Sequence, residues 1–419
     1  EFIVTQLCEG LGGEQIESVL VTVPHGWRRE HPEKCRSTRQ AAAQARPHSG
    51  TLRVQDVTVS EPVAAAAYWI WLARSAGNGI DLEGKTVLVC DMGGGTFDLS
   101  LIRVGGADRP LDVVDAANNE CAGDLADALI CAWACRQFNA AEGTSYPETP
   151  EAVLAMLTQP EGGWIRGWFL KAQEVKETLS ARIERSATRG GIESVKPFAV
   201  DLTDGEGRHQ RIPVDVATFL ACLDPLYRQG REFLGTFLKG IPESRWPHAV
   251  VFAGGGSRIH GVRDHVVLPA LREVMTARRA DDVLGRIPVN SEKLDQVIAL
   301  GAALIANGIV SVQERLLSNI GIVGCVPAII ARQLGLDPKD QEILLTPILP
   351  KGEALPRTVA CRDLGLNTTV DPGENLKIEV VVDDDSVDPW IQPWEIPHPG
   401  GGRRQTLDWS VTVDTDGVL

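Results

Sequence analysis

The chain has 419 residues, and 56 acidic side chains against 41 Lys and Arg give it a net charge of −15 at pH 7. A field of that sign disfavours non-specific binding to nucleic acid or an anionic membrane, yet allows a local anion site built from backbone amides. The longest apolar stretches, residues 63–73 and 297–306, are too short for a bilayer, which takes roughly 20 apolar residues. In chain order, residues 18–23 read as a β-rich run ended by Pro24, residues 36–45 as a helix and residues 56–60 as an alternating strand. Pro62 opens an Ala-rich helix with Glu61 at its N-terminal edge. Residues 85–104 read strand, GGG turn, strand. Helical patterns follow over 123–139 and 161–185, a hairpin with a turn at 204–207 over 193–214, and a helix over 215–239. Residues 248–253 form a strand running into GGGSR, and 296–307 a last Ala-rich helix.

After Ser311 helical periodicity fades, and short β-rich runs at 342–345, 376–382 and 407–413 stand between Pro- and Gly-rich segments. Residues 383–385 and 389–404 read as loops. A boundary near 310–317 therefore separates an α/β part from a mostly β part. The nine cysteines include no CxxC pair, and no HExxH occurs, so neither a disulfide framework nor structural zinc is expected. Cys131 and Cys135, at i,i+4, read as core thiols, and a reducing, cytoplasmic compartment fits best. Glu1 and Phe2 carry neither an initiator Met nor a signal pattern, so an upstream part is expected to be missing.

Two Gly-rich turns carry the chemistry. In DMGGGTFD (residues 91–98) three glycines strip the side chains from one turn, whose free amides can cradle phosphate oxygens. Thr96 adds a hydroxyl, and Asp91 and Asp98 flank the turn as hard carboxylates suited to Mg²⁺, mostly through water. An ordinary hairpin turn needs fewer glycines and no bracketing carboxylates. In VVFAGGGSRIHGV (residues 250–262) strand, bend and helix start make a second anion or nucleotide site. Ile259 and Asp98 stand where a dinucleotide fingerprint has its third Gly, and no GK[ST] follows either turn, so nicotinamide and P-loop enzymes are disfavoured.

These phrases resemble the seventy-kilodalton heat-shock chaperones of the DnaK type, within the actin and sugar-kinase superfamily. LVCDMGGGTFDLSLI is similar to their second phosphate loop, SEPVAAAAYW to a helix start, and VTVPHGW with RQAAAQA to a further phrase. FAGGGSRI resembles their adenosine loop, DQVIALGAAL their closing helix and KETLS the helix beside adenine. LLTPILPKGEALP and LDWSVTVDTDGVL resemble strands of the peptide-binding β-sandwich. The resemblance implies an actin-like (ribonuclease-H-like) two-lobed α/β ATPase domain over residues 1–311, a linker over 312–322 and a β-sandwich over 323–419. It implies ATP or ADP, Mg²⁺ and K⁺ as cofactors, unfolded or extended peptides as clients, and a J-domain co-chaperone and a nucleotide-exchange factor as partners. Neither nucleic acid nor membrane is implied.

By the same resemblance Asp91 and Asp98 order the Mg²⁺ water shell, and Gly93, Gly94, Gly95 and Thr96 hold the β- and γ-phosphates. Glu61 sits near the metal and the attacking water, and Gly123 approaches the phosphates through its backbone. Gly254, Gly255, Gly256 and Arg258 line the adenosine, Asp295 stands near the nucleoside, and Lys176 and Ser180 face the adenine. Four positions depart from the family: Gln173 for a ribose-binding Glu, Glu177 for a stacking Arg, Ala122 for a Gly and Gly256 for a Ser. In an alternative register Glu174 contacts the ribose. The family's first phosphate hairpin and its water-positioning Lys are expected before Glu1, and its lid after Leu419. Low turnover is therefore expected of the chain as it stands. A small-molecule kinase would need a substrate domain inside the α/β fold, whereas residues 344–419 favour the chaperone. The adenine-site changes leave a non-catalytic scaffold open.

Overall fold

The computed structural model describes residues 18–25, 27, 32–44, 53–75, 80–106, 111–159, 163–187, 191, 195–287, 293–313, 319–325, 343–350, 353, 357–360, 376–383, 390–396 and 410–413. The chain divides into two units, residues 60–312 and residues 1–59 with 313–419.

In the flanking unit, β1 (Ser18–Val23) pairs with β2 (Arg53–Ser60) around helix α1 (Pro32–Gln44). Val21, Val23 and Cys35 form its small core, with Val19, Trp27 and Val54 packed on it.

The 60–312 unit is mixed α/β, as the expected actin-like fold requires. Helix α2 (Glu61–Ser75) leads into β3 (Thr86–Met92), β4 (Phe97–Arg103) and β5 (Leu111–Asn119). Every residue of β3 is buried, which the apolar run VLVC at its centre anticipates, and Thr86 and Asp91 are buried with it. Helices α3 (Gly123–Glu142), α4 (Pro150–Leu157) and α5 (Gly163–Ala187) follow, then the hairpin β6 (Phe198–Thr203) and β7 (His209–Val214). Helix α6 (Val216–Gly240) is capped by Asp215, which accepts from the Thr218 amide at 2.8 Å. Next come β8 (Ala249–Ala253), helices α7 (Leu268–Val274), α8 (Ala277–Gly285) and α9 (Val297–Ala306), and β9 (Val312–Gln313). The sheet runs β8-β3-β4-β5-β9, with β8 parallel and β4 antiparallel to β3.

Helix α2 packs on β3, β4, β5 and β8, and α9 crosses α2. Residues from Pro62 to Ile70 of α2 are all buried, and Trp69 donates its indole N–H to the Phe252 carbonyl at 2.8 Å. Four consecutive alanines keep the outer face of α2 low enough for a second helix.

The far segment carries an antiparallel sheet β11-β10-β13-β14 and an antiparallel pair β12-β15. Its strands are β10 (Asn319–Cys325), β11 (Ile343–Leu349), β12 (Arg357–Ala360), β13 (Leu376–Asp383), β14 (Trp390–Ile396) and β15 (Ser410–Val413). Residues 389–404 read as a loop from sequence, yet 390–396 form β14. Pro393 misled that reading, but β14 is the edge strand of its sheet, where a missing N–H is tolerated. Residues 314–318 of the expected linker lie outside the described residues. Among the described residues no helix is long and apolar enough to cross a membrane.

Candidate functional site

Antiparallel pairing of β3 and β4 sets Asp91 opposite Asp98 and Met92 opposite Phe97. That register leaves residues 93–96 as the turn, closed by the Gly93 amide on the Thr96 carbonyl at 2.9 Å. Gly94, Gly95 and Thr96 stand exposed at its tip. Thr96 donates its hydroxyl to Asp98 Oδ2 at 2.6 Å. Parallel pairing puts Ala253 level with Asp91, so the second Gly-rich segment leaves the sheet beside the first.

The two segments touch through backbone. Gly254 has φ of +77°, and a Cβ there would lie 2.3 Å from the Met92 carbonyl oxygen. A Cβ on Gly256 would lie 2.6 Å from the Gly93 carbonyl oxygen. The Ser usual in the family has no room at 256 in this packing. The expected strand-to-helix bend is a 3₁₀ turn over Gly255–Arg258, a π-helical turn over Val262–Val267, and only then α7.

The first amides of α3 are spent on the turn: Gly123 N donates to Gly93 O at 3.1 Å and Asp124 N to Gly94 O at 2.7 Å. A Cβ on Gly123 would sit 3.0 Å from Gly93 O. Its carbonyl accepts from Lys176 Nζ at 3.3 Å, so both polar backbone atoms of Gly123 are engaged within the protein. Lys176 also pairs with Asp127 at 2.7 Å, with both side chains nearly buried. Burial, helped by the Asp124 and Glu177 charges, holds the Asp127 carboxyl at about 6 even beside that ammonium.

These elements enclose a cleft of about 520 Å³. Of the residues singled out from sequence, it is lined by Gly93, Gly94, Gly123, Lys176, Ser180, Gly255, Gly256 and Arg258. Gly254 is packed behind its wall, and Asp295 joins through Arg258, whose guanidinium it accepts at 2.6 Å. Asp124, Asp127, Phe169 and Glu184 also line it and were not foreseen. A signal for two of them was present in CAGDLAD, where carboxylates at i and i+3 share a helix face. On α5, Gln173 faces the cleft and donates to Glu177 at 3.1 Å. Glu174 is exposed and pairs with Lys171 at 2.8 Å, so in this structure Gln173 is the residue presented to the cleft. Ser180 Oγ accepts from the His260 amide at 3.1 Å and ties α5 to the second Gly-rich segment.

Glu61, Asp91 and Asp98 form a cluster of carboxylates. Burial first and then Asp98 push Glu61 up to about 7. Burial first, then Glu61 and Asp98, push Asp91 up to about 7. No ion pair joins Glu61 or Asp91 to a basic side chain among the described residues. Such uncompensated charge is what a cation would relieve, so the chemistry of the donor set fits one. No group of three His, Cys, Asp or Glu among the described residues is arranged to hold a metal directly.

The Lys176–Asp127 pair supplies a stability test. Lys176→Met leaves a buried carboxylate without its cation and is expected to cost roughly 3 kcal/mol. Lys176→Met with Asp127→Asn should recover much of that. Thermal melts at pH 7 measure both, and equal melting points for the single and double variants would show that the pair is solvated.

Comparison with known proteins places this geometry. The sequence pattern described as "Hsp70 protein" matches residues 4–322. The chain is 25% identical to "Chaperone protein DnaK" of Thermotoga neapolitana over 89% of this chain and 52% of the relative. The protein of that name from Thermus thermophilus is 24% identical over 82% and 46%. The one from Guillardia theta is 25% identical over 97% and 56%. The chain thus spans about half the length of the curated relatives it matches. With a match across residues 4–322 and a site built on two interlocked Gly-rich turns, the chain belongs to the Hsp70 protein family.

Proposed function

We propose that the 60–312 unit binds ATP and ADP with Mg²⁺, and that ATP turnover there controls the affinity of the far β segment for extended apolar peptides. The observation that carries this reading is the cleft wall made of two glycine turns at neighbouring strand ends. Gly93, Gly94, Gly95 and Thr96 receive the phosphates, and the Gly255–Arg258 turn, Lys176 and Ser180 border the nucleoside. A bound Mg²⁺ supplies positive charge against the phosphate oxygens. Asp91 and Asp98 hold the water around that charge. Glu61, near neutrality in its pKa, accepts a proton from a water held beside the γ-phosphate. K⁺ as an associated cation belongs to the same proposal.

The domain reading is a nucleotide unit over 1–311, a linker over 312–322 and a β-sandwich over 323–419. It is supported by two antiparallel sheets in the far segment and by a compact unit ending at Val312. Peptides would add along exposed strand edges, with loose side-chain selection. J-domain and exchange-factor partners and a cytoplasmic setting complete the proposal. Free thiols at Cys35, Cys90, Cys121, Cys131, Cys135 and Cys222 agree with a reducing compartment.

Gly94→Val tests the phosphate turn. Gly94 is exposed, and a Cβ there meets nothing closer than a carboxylate oxygen of Asp124 at 3.2 Å, so the fold should survive. A branched side chain at the tip should weaken ATP binding at least about tenfold, or about 1.4 kcal/mol. Calorimetry giving equal affinity for both proteins would remove this turn from the site. Anisotropy of a labelled Leu-rich peptide on the full chain, with ADP and with ATP, tests the coupling. Identical release rates in the two nucleotides would sink it.

A further inference from the structure

At the opposite end of β8 from the cleft lies a second concavity. His248 stands just before β8, and the Gly254 turn just after it. The five residues of β8, six steps of extended chain, separate the two by about 20 Å. The concavity has a volume of about 210 Å³ and is bordered by His248, Thr276, Arg278, Arg279, Asp282 and Arg286. This is below the roughly 300–1,000 Å³ of pockets that take drug-sized ligands, so its occupant is small.

Three guanidinium groups face the carboxylate of Asp282 and, beside Arg279, that of Glu243, which still reverses, locally, the sign of a chain carrying −15. Some exposed arginines elsewhere are paired, as Arg228 is with Asp224, Arg258 with Asp295 and Arg272 with Asp281. Arg278 and Arg286 make no ion pair among the described residues, although Asp282 stands one helical turn from each. Arg279 is held in place, its guanidinium 5.3 Å over the Trp246 ring and 3.6 Å from Glu243. Helix α8 fixes the spacing, since Ala280, Val283 and Leu284 are buried and Thr276 caps it at the Arg279 amide. His248 Nδ1 lies 3.3 Å from the Thr86 hydroxyl and 3.5 Å from the Thr86 amide, so Nε2 is the ring nitrogen left to donate to a ligand when it carries the proton.

We propose that this pocket is a binding site for a small phosphate group, held by Arg278, Arg279 and Arg286 with His248 as an added donor, and separate from the cleft. Planar guanidinium forks suit tetrahedral oxyanions, and several of them together favour a dianion over a monoanion. His248 reports on the site. Burial first, then the charges of Lys85, Arg279 and Arg286, lower its pKa, and a bound dianion would oppose those cations.

The test is a ring-resonance titration of the 419-residue chain labelled at histidine, with the His248 signal identified by its loss in His248→Gln. Potassium phosphate is added against potassium chloride at matched ionic strength. Phosphate should shift the His248 signal saturably and raise its titration midpoint by about half a pH unit or more. Arg278→Gln and Arg286→Gln should each weaken phosphate about tenfold, as loss of one charge-assisted hydrogen bond implies. Gly94→Val should leave the His248 response unchanged, which separates this site from the phosphate turn. Phenyl phosphate in a parallel arm distinguishes a monoester from the free ion: binding of either supports the pocket, and the tighter names the source. No response beyond chloride in both arms, or unchanged affinity in both Arg variants, overturns the proposal.

Discussion

Gly301→Ala should lower the melting temperature of the protein by roughly 6–12 °C, the equivalent of roughly 3 kcal/mol in a domain of this size. Gly301 lies in α9 where that helix crosses α2, and a Cβ there would fall 1.7 Å from the carbonyl oxygen of Ala64. The obstacle is backbone, so no side-chain rotation relieves it, and the two helices must separate. Separation opens the buried face of α2, including Trp69, whose indole bond to Phe252 ties α2 to β8. Since β8 delivers Gly254 to the cleft, nucleotide affinity should fall together with stability. Gly308→Ala is the control: it removes a positive-φ glycine at 68° with open space around it, and should cost only the strain of that conformation. Thermal denaturation checks both variants. A Gly301→Ala protein melting with the wild type would mean that α2 and α9 are not in backbone contact.

How far the sequence carried this picture depended on how local each signal was. The strand–turn–strand over 85–104 was legible because apolar runs, three glycines and flanking carboxylates lie within one segment. Helix α2 was legible from Glu61, Pro62 and the alanines. Strand β5 was not read at all: LDVVDAANN is half exposed and ends in residues that favour turns, so its alternation is weak. Pairing with β4 makes it a strand, and pairing is a tertiary event. The π-helical turn after Gly261 was equally invisible. Gly261 holds φ of +90° with no room for a Cβ beside Tyr227 and His265, while Tyr227 on α6 donates its hydroxyl to the His260 carbonyl.

The site divides in the same way. The turn glycines and the flanking aspartates announced themselves by type and spacing. Asp127 shared a helix face with Asp124, but its role was not legible, because that role comes from Lys176, 49 residues away. Which of Gln173 and Glu174 is presented to the cleft also depended on the helix rotation that buries Ala172, Val175 and Leu179. The sequence pattern named the helix, and packing then chose its face.

Asp91→Asn should move stability and turnover in opposite directions. Asp91 is only 5% exposed and has Glu61 and Asp98 for neighbours, so ionising it in the free protein costs energy. Its folded pKa of about 7 lies above the unfolded carboxylate value of about 3.9, so the folded state binds the proton more tightly. The stability it contributes is therefore fully present below about pH 4 and is lost as pH rises through about 7. In the free wild-type protein the melting point should fall between pH 5.5 and 8.5. Asn, which never ionises, should flatten that fall and leave the variant about 2 kcal/mol more stable at pH 8. Proposed turnover moves the other way. On the proposed reading an ionised carboxylate at 91 would order the water around a bound Mg²⁺, and an amide there would remove one preorganised charge, a loss on the order of a hundredfold in rate. Wild-type Mg²⁺ affinity should rise through pH 7 as the cluster ionises, and that rise should shrink in the variant. Melts across the pH range, Mg²⁺ titrations at pH 6 and 8, and single-turnover ATP hydrolysis measure the three effects. A variant less stable than the wild type at pH 8 would mean that the Asp91 carboxylate is already neutralised within the protein, and the cluster would have no charge left for a cation to relieve.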